Sequence, residues 1–238
     1  MDIDKRLDDF TEDHYYKLKD LMYSEKMEVN PKNTVLVIID AQKIHYREFI
    51  EKSYRDMGYN LEEIKDIVDR QVEHEGETLK KIEKILNKCR QVGIKPIHVK
   101  IESLLPGAED TGRLHASAGM YYPPGSLATE FCKEAEPLKG EIVLTKTCSG
   151  IMVGTPIDRI LRNLSIENVI VTGFYTDQCV STSVRDLADA GYNVTVVEDG
   201  VNAMSKRRHI HAMEPLRYLY ANCEDTKSLL ERLDAINK

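Results

Sequence analysis

The chain has 238 residues, 42% of them hydrophobic, which suffices for one large α/β core, and it carries a formal net charge of −7. No stretch is obviously basic and no apolar run approaches membrane-spanning length, so nucleic acid and membrane are not expected as partners. Five cysteines with no Cys-x-x-Cys pair argue against a disulfide framework and a cysteine-based zinc site, and the polar N-terminus does not read as a signal peptide, so the expected compartment is the cytoplasm.

Residues 1–30 are charged and Tyr-rich, with Tyr15, Leu18, Leu21 and Met22 at helical spacing. They predict an N-terminal helical arm, able to pack on a neighbouring subunit, ahead of a single domain over 31–238. Val35 to Ile39 reads as a buried strand that ends at Asp40. Residues 43–60 mix aromatic and charged side chains and read as a long active-site loop or lid. Leu61 to Val92 is a helical region, expected to break near Gly76, with Ile82, Ile85, Leu86 and Cys89 on its apolar face and Gly93 at its end. Lys95 to Ile101 is the next strand. Residues 102–140 have low periodicity and hold Pro106-Gly107, Gly112 and Pro123-Pro124-Gly125, the mark of a long functional loop with short helical pieces.

Glu141 to Thr145 is a third strand, followed by Lys146. Thr155 to Leu164 is a helix with Pro156 in its first turn. Val169 to Val171 is a fourth strand, broken by Gly173. A helix follows, with Thr176 or Asp177 as its cap and Val180, Val184 and Leu187 at helical spacing. Cys179 then sits near a helix start, where the dipole and free N–H groups favour thiolate over thiol. The plainer reading makes it a small buried hydrophobe. Tyr192 to Val197 is a fifth strand ending at Glu198-Asp199-Gly200, and His209 to Ala221 and Thr226 to Leu233 are closing helices, with Pro215 either weakening the first or marking its start. The alternation predicts an α/β fold: a doubly wound, mainly parallel sheet with helices on both faces.

In such sheets ligands bind at the carboxyl ends of the strands. Asp40, Lys146 and Cys179 all fall there. A thiol needs a base or an electropositive setting to attack. Asp40 can take its proton and later hand it to a leaving amine, and Lys146 can support both. Backbone N–H groups at Tyr175 and Cys179 can receive a developing oxyanion. No histidine is placed to partner the cysteine: His98 is mid-strand and reads as core, and His45 lies in the loop.

These blocks resemble the isochorismatase-like cysteine hydrolases, the group of nicotinamidase, N-carbamoylsarcosine amidase, biuret hydrolase and ureidoacrylate amidohydrolase. The resemblance rests on Val-Ile-Ile-Asp40-Ala-Gln42, on Leu-Thr-Lys146 with Gly154-Thr155-Pro-Ile-Asp158-Arg, on the run from Ile166 through Thr-Gly-Phe-Tyr-Thr-Asp-Gln-Cys179-Val-Ser-Thr, and on Gly191-Tyr-Asn-Val with Glu198-Asp199. It implies a Rossmann-like sheet of about six strands, a catalytic triad of Asp40, Lys146 and Cys179, and a cis peptide at Phe174–Tyr175 that aims the Tyr175 N–H at the oxyanion. It also implies a homo-oligomer, a dimer or tetramer. The cysteine, absent from isochorismatases proper, favours hydrolysis of a C–N bond in a small amide, ureide or N-carbamoyl substrate over vinyl-ether cleavage.

The region Lys100 to Arg113 lacks the Asp-x-His cluster of nicotinamidases, so no metal and no cofactor is expected. Expected substrate contacts are Gln42, Phe174 and Tyr175, with Lys100, Glu102 and Arg113 as further candidates. The chain departs from the family at His45 and Met152, where aromatics are common, and at Leu219 to Ala221, which lacks the Gln and Gly expected near a biuret pocket. The alternatives are isochorismatase-type cleavage without covalent catalysis and, remotely, a nucleotide-binding module, for which the Gly-rich signatures are missing.

Overall fold

Six consecutive residues with no solvent-exposed surface, Thr34 to Ile39, form the first strand, β1 (Thr34–Ile39). A run buried on both faces demands a sheet with helices on either side. The computed structural model, which describes residues 28–236, has that arrangement. All six strands are parallel, in the order β3-β2-β1-β4-β5-β6, with β2 (Lys95–Ile101), β3 (Ile142–Lys146), β4 (Asn168–Phe174), β5 (Asn193–Asn202) and β6 (Asn222–Glu224). The winding reverses between β1 and β4, so the crevice of the sheet opens at their carboxyl ends.

One face of the sheet buries Val35, Val37 and Val171 against α5 (Ile157–Asn163), α6 (Ser181–Asp189) and α7 (Lys206–Pro215), through Leu161, Val184, Leu187 and Met213. The other buries Leu36, Ile38 and Ile170 against α2 (Lys65–Val92) and α8 (Thr226–Ala235), through Leu79, Ile82, Ile85, Leu86, Leu229 and Leu233. The remaining helices are α1 (Arg47–Asp56), α3 (Arg113–Ser117) and α4 (Ile151–Gly154).

Four local expectations are corrected. Helix α2 runs unbroken through Gly76 to a left-handed Gly93 (φ 83°), because a single glycine in a long helix weakens it without ending it. The stretch expected as a lid contains a turn at Lys43–His45 and helix α1. Strand β5 continues past Gly200 to Asn202. The first closing helix starts at Lys206, and Pro215 is its last residue before a wide π-helical turn, Leu216–Tyr220. The arm expected over residues 1–30 lies, apart from 28–30, outside the described residues.

Gly173 explains the close approach of β1 and β4 at the crevice. It pairs with Ile39, has φ 123°, and a Cβ there would stand 2.0 Å from the Ile39 carbonyl oxygen. Only glycine fits both the conformation and the space.

Candidate active site

Asp40 follows β1 in a left-handed conformation (φ 55°), which few residues other than glycine and short polar ones such as Asp adopt. Its N–H still donates to Val99 O at 2.8 Å, extending the β1–β2 ladder, so the turn of the chain occurs at this residue. Its carbonyl accepts from Gln42 N at 2.8 Å and lies 3.0 Å from the His45 Nε2. The chain leaves β4 through the Phe174–Tyr175 cis peptide, the bond expected there. A wide turn, Thr176–Val180, then leads into α6. The Tyr175 carbonyl accepts from both Gln178 N and Val180 N, at 3.0 and 3.2 Å. Neither Thr176 nor Asp177 caps a helix with its side chain; Thr176 Oγ1 instead meets His209 Nδ1 at 2.9 Å and Asp177 pairs with Arg208.

Lys146, at the end of β3, joins these two elements. Its Nζ donates to Asp40 Oδ2 at 2.8 Å, to Cys179 Sγ at 3.3 Å and to Cys148 O at 3.1 Å. Three partners saturate an ammonium. Lys146, Asp40 and Cys179 are 1%, 2% and 5% exposed, so these contacts act without solvent screening. Burial alone would lower the lysine, but the neighbouring Asp40 and Cys179 hold it above its ordinary value and keep it charged. Asp40 Oδ1 makes no hydrogen bond among the described residues. Against the lowering expected from a helix start, burial pushes the Cys179 thiol up to about 12 and the Asp40 charge pushes the same way, while Lys146 opposes them.

The other candidates are placed differently. Gln42 Nε2 donates to Ile101 O and Thr129 O at 3.0 and 3.1 Å, and its Oε1 accepts from Ile101 N at 2.8 Å. Both amide hydrogens are engaged by main chain, which makes Gln42 a brace between loops and not a free contact. Lys100 pairs with Glu102 at 2.8 Å, and Thr129 Oγ1 donates to the same carboxylate oxygen at 2.6 Å. Arg113 is exposed at the start of α3. Phe174 is 1% exposed and stacks on the His45 ring with centroids 3.9 Å apart.

Three residues of the site went unmarked in the sequence. Gly112 N donates to Thr147 O and Glu102 N to Lys146 O, both at 3.2 Å, which ties the 102–122 segment to the end of β3, and Ser103 N donates to Tyr122 O at 2.8 Å, which closes the segment on itself. His115 and Tyr122 lie on that segment. His115 is 4% exposed with Nδ1 unbonded among the described residues. Burial lowers it, the Lys146 charge lowers it further, and Asp40 opposes them. Burial raises Tyr122 and the Asp40 charge adds to it. Both side chains therefore feel the triad. The third is Glu75 of α2, 1% exposed, whose carboxylate reaches His45 and Tyr175. A histidine in an aperiodic loop and an acid among apolar helix positions were the available signals. Among the described residues no group of three or more His, Cys, Asp or Glu could hold a metal ion, and no helix is long and apolar enough to cross a membrane.

Known proteins share this fold. The chain is similar to the ureidoacrylate amidohydrolase RutB of Agrobacterium fabrum, 24% identical over 195 residues that cover 75% of this chain and 79% of that protein. It superposes on a cysteine hydrolase from Pseudomonas syringae pv. phaseolicola 1448A with TM-score 0.72 at 18% identity, covering 89% of this chain and 97% of that one. It superposes on N-carbamoylsarcosine amidase from Thermoplasma acidophilum with TM-score 0.61 at 21% identity, covering 82% and 96%. The family model described as the isochorismatase domain matches residues 34–228, which span the whole sheet and all three of Asp40, Lys146 and Cys179, so the chain belongs to the isochorismatase family of hydrolases.

Proposed function

We propose that this protein is a cysteine amidohydrolase that cleaves a C–N bond of a small amide, ureide or N-carbamoyl compound. The observation that carries the reading is the Lys146 ammonium bonded at once to Asp40 and to Cys179. A thiol held neutral needs a base at the moment of attack, and Asp40 is that base. As the sulfur attacks the carbonyl carbon, Asp40 takes the thiol proton. The N–H groups of Tyr175 and Cys179 receive the oxyanion. Collapse breaks the C–N bond, Asp40 returns the proton to the leaving nitrogen, and a thioester on Cys179 remains. Asp40 then takes a proton from water, the resulting hydroxide attacks the thioester, and the sulfur leaves with the proton restored. Lys146 stays protonated throughout and holds the carboxylate beside the sulfur.

The amidohydrolases among the relatives support the substrate class. His115 and Tyr122 are the substrate contacts we favour, since the 102–122 segment carries them to the triad. A screen of small amides and ureides with ammonia detection tests the reading. Cys179→Ser and Asp40→Asn are each expected to reduce ammonia release by at least about a thousandfold in folded protein. Near-normal turnover by Cys179→Ser would refute covalent catalysis.

A further inference from the structure

Behind the triad lies a polar network that the proposed mechanism does not use. Glu75 projects from the middle of α2 and His45 from the turn after β1; the two are 1% and 2% exposed. His45 Nε2 stands 3.0 Å from Asp40 O, and Nδ1 stands 2.6 Å from Glu75 Oε2. A carbonyl oxygen only accepts, so Nε2 carries a proton, and a second proton lies between Nδ1 and the carboxylate. The other carboxylate oxygen, Oε1, accepts from Tyr175 OH at 3.0 Å and from Gln71 Nε2 at 2.7 Å. Gln71 in turn accepts from Tyr54 OH of α1 at 2.9 Å. The His45 ring stacks on Phe174 and meets Tyr175 edge-on, with centroids 5.3 Å apart.

A buried pair of this kind is a weak source of stability, because losing hydration offsets most of its attraction. Stability therefore does not account for it. Its geometry does suggest a role. One arm ends on the main chain of the residue that bears the base. The other ends on the residue that follows the Phe174–Tyr175 peptide and opens the nucleophile turn. Both arms start from a single carboxylate on a helix locked to the sheet through Leu79, Ile82 and Ile85. We infer that Glu75 is a positioning residue that sets Asp40, through His45, and the turn carrying Cys179, through Tyr175, in one fixed relation. The inference rests on the reading of Cys179 as nucleophile and Asp40 as its base.

Carbamidomethylation of Cys179 by iodoacetamide, followed by mass spectrometry, reads that relation without any substrate. The partly exposed Cys148 serves as the internal control, and circular dichroism checks the fold. Asp40→Asn tests the underlying reading: if Asp40 is the base the Cys179 rate falls despite the loss of a charge that holds the thiol up, and an unchanged or faster rate overturns that reading and this inference together. If Asp40→Asn slows the reaction, Glu75→Ala is expected to slow it by about tenfold or more, with Cys148 within about twofold. Glu75→Gln is expected to stay within about threefold of the wild type, since its amide oxygen can accept from Tyr175 and Gln71 while its nitrogen donates to Nδ1. His45→Phe keeps the stack on Phe174, loses both ring hydrogen bonds, leaves the Tyr175 arm in place, and is expected to slow Cys179 by several-fold but less than Glu75→Ala does. Adding Glu75→Ala to His45→Phe is expected to slow the reaction further, through loss of the Tyr175 arm, but by a smaller factor than Glu75→Ala causes in the wild type. A wild-type Cys179 rate in folded Glu75→Ala, or in His45→Phe if Glu75→Ala does not fold, overturns the inference. So does a Glu75→Gln variant as slow as Glu75→Ala, which would mean that charge, not position, is what matters.

Discussion

Gln42 and His115 show how differently two polar residues near one triad are used. Gln42 satisfies Ile101 N, Ile101 O and Thr129 O, all buried, and joins the end of β2 to the segment before β3. Replacing it by leucine would leave those groups unpaired in the interior. Gln42→Leu is therefore expected to cost about 2–4 kcal/mol in urea unfolding, an effect visible without substrate. His115 has the opposite profile. It is buried, it lies under the charges of Lys146 and Asp40, and its Nδ1 is unbonded among the described residues. His115→Ala is expected to raise KM by about tenfold toward whichever amide the screen yields, with kcat within about threefold. A variant with unchanged KM would remove His115 from the substrate side. Proximity in sequence to Asp40 suggested Gln42 as the contact. Proximity in space, created by a loop with no periodicity, suggests His115.

At the level of elements, what was legible followed from burial on both faces. β-branched runs marked five of the strands, and the reversal of winding between β1 and β4 put Asp40, Lys146 and Cys179 at one edge. Strand β6 was missed because three residues, Asn222 to Glu224, show neither alternation nor an apolar run, and only pairing with β5 makes them a strand. Helix α1 was missed because its single buried residue, Ile50, leaves no apolar face to read. The glycines divide the same way. Gly173 stands where β1 and β4 touch, and Gly173→Ala is expected to cost at least about 3 kcal/mol or to prevent folding, since the obstacle is main chain of a central strand. Gly76 of α2 has no atom within 4 Å of a would-be Cβ. Gly76→Ala is therefore expected to stabilise the protein by about 0.5–1 kcal/mol, seen as a rise of about 1–4 °C in Tm. A loss of stability there would mean that α2 needs its flexibility beside Glu75.

Over the whole molecule, the buried titratable groups predict how stability depends on pH. His98, His115 and His209 are all lowered from an ordinary value of 6.5, in each case first by burial. The unfolded chain then binds protons that the folded one refuses, so their contribution is complete above about pH 6.5 and is lost as pH falls. A second acid limb follows. Burial alone would raise Glu141, but its hydrogen bonds from Arg90, Leu138 N and His98 hold it down to about 2. Asp199 is likewise lowered by Thr226 and Lys81 against the effect of burial. These carboxylates stabilise fully above their ordinary range and lose that contribution as pH drops through the folded values. On the alkaline side, burial pushes Cys89, Cys132, Cys179 and Cys223 from 9.0 up to about 12. Above about pH 9 the unfolded thiols ionise first, and stability declines again. Urea unfolding under reducing conditions is therefore expected to show a maximum between about pH 6.5 and 9, with lower stability near pH 5 and near pH 10.5. Added salt separates this cause from the overall charge of −7. Salt screens repulsion between exposed charges, whereas the cost of placing a charge in the core persists. Both limbs should therefore survive about 0.5 M salt, and a profile that flattens in salt would trace the pH dependence to the surface instead.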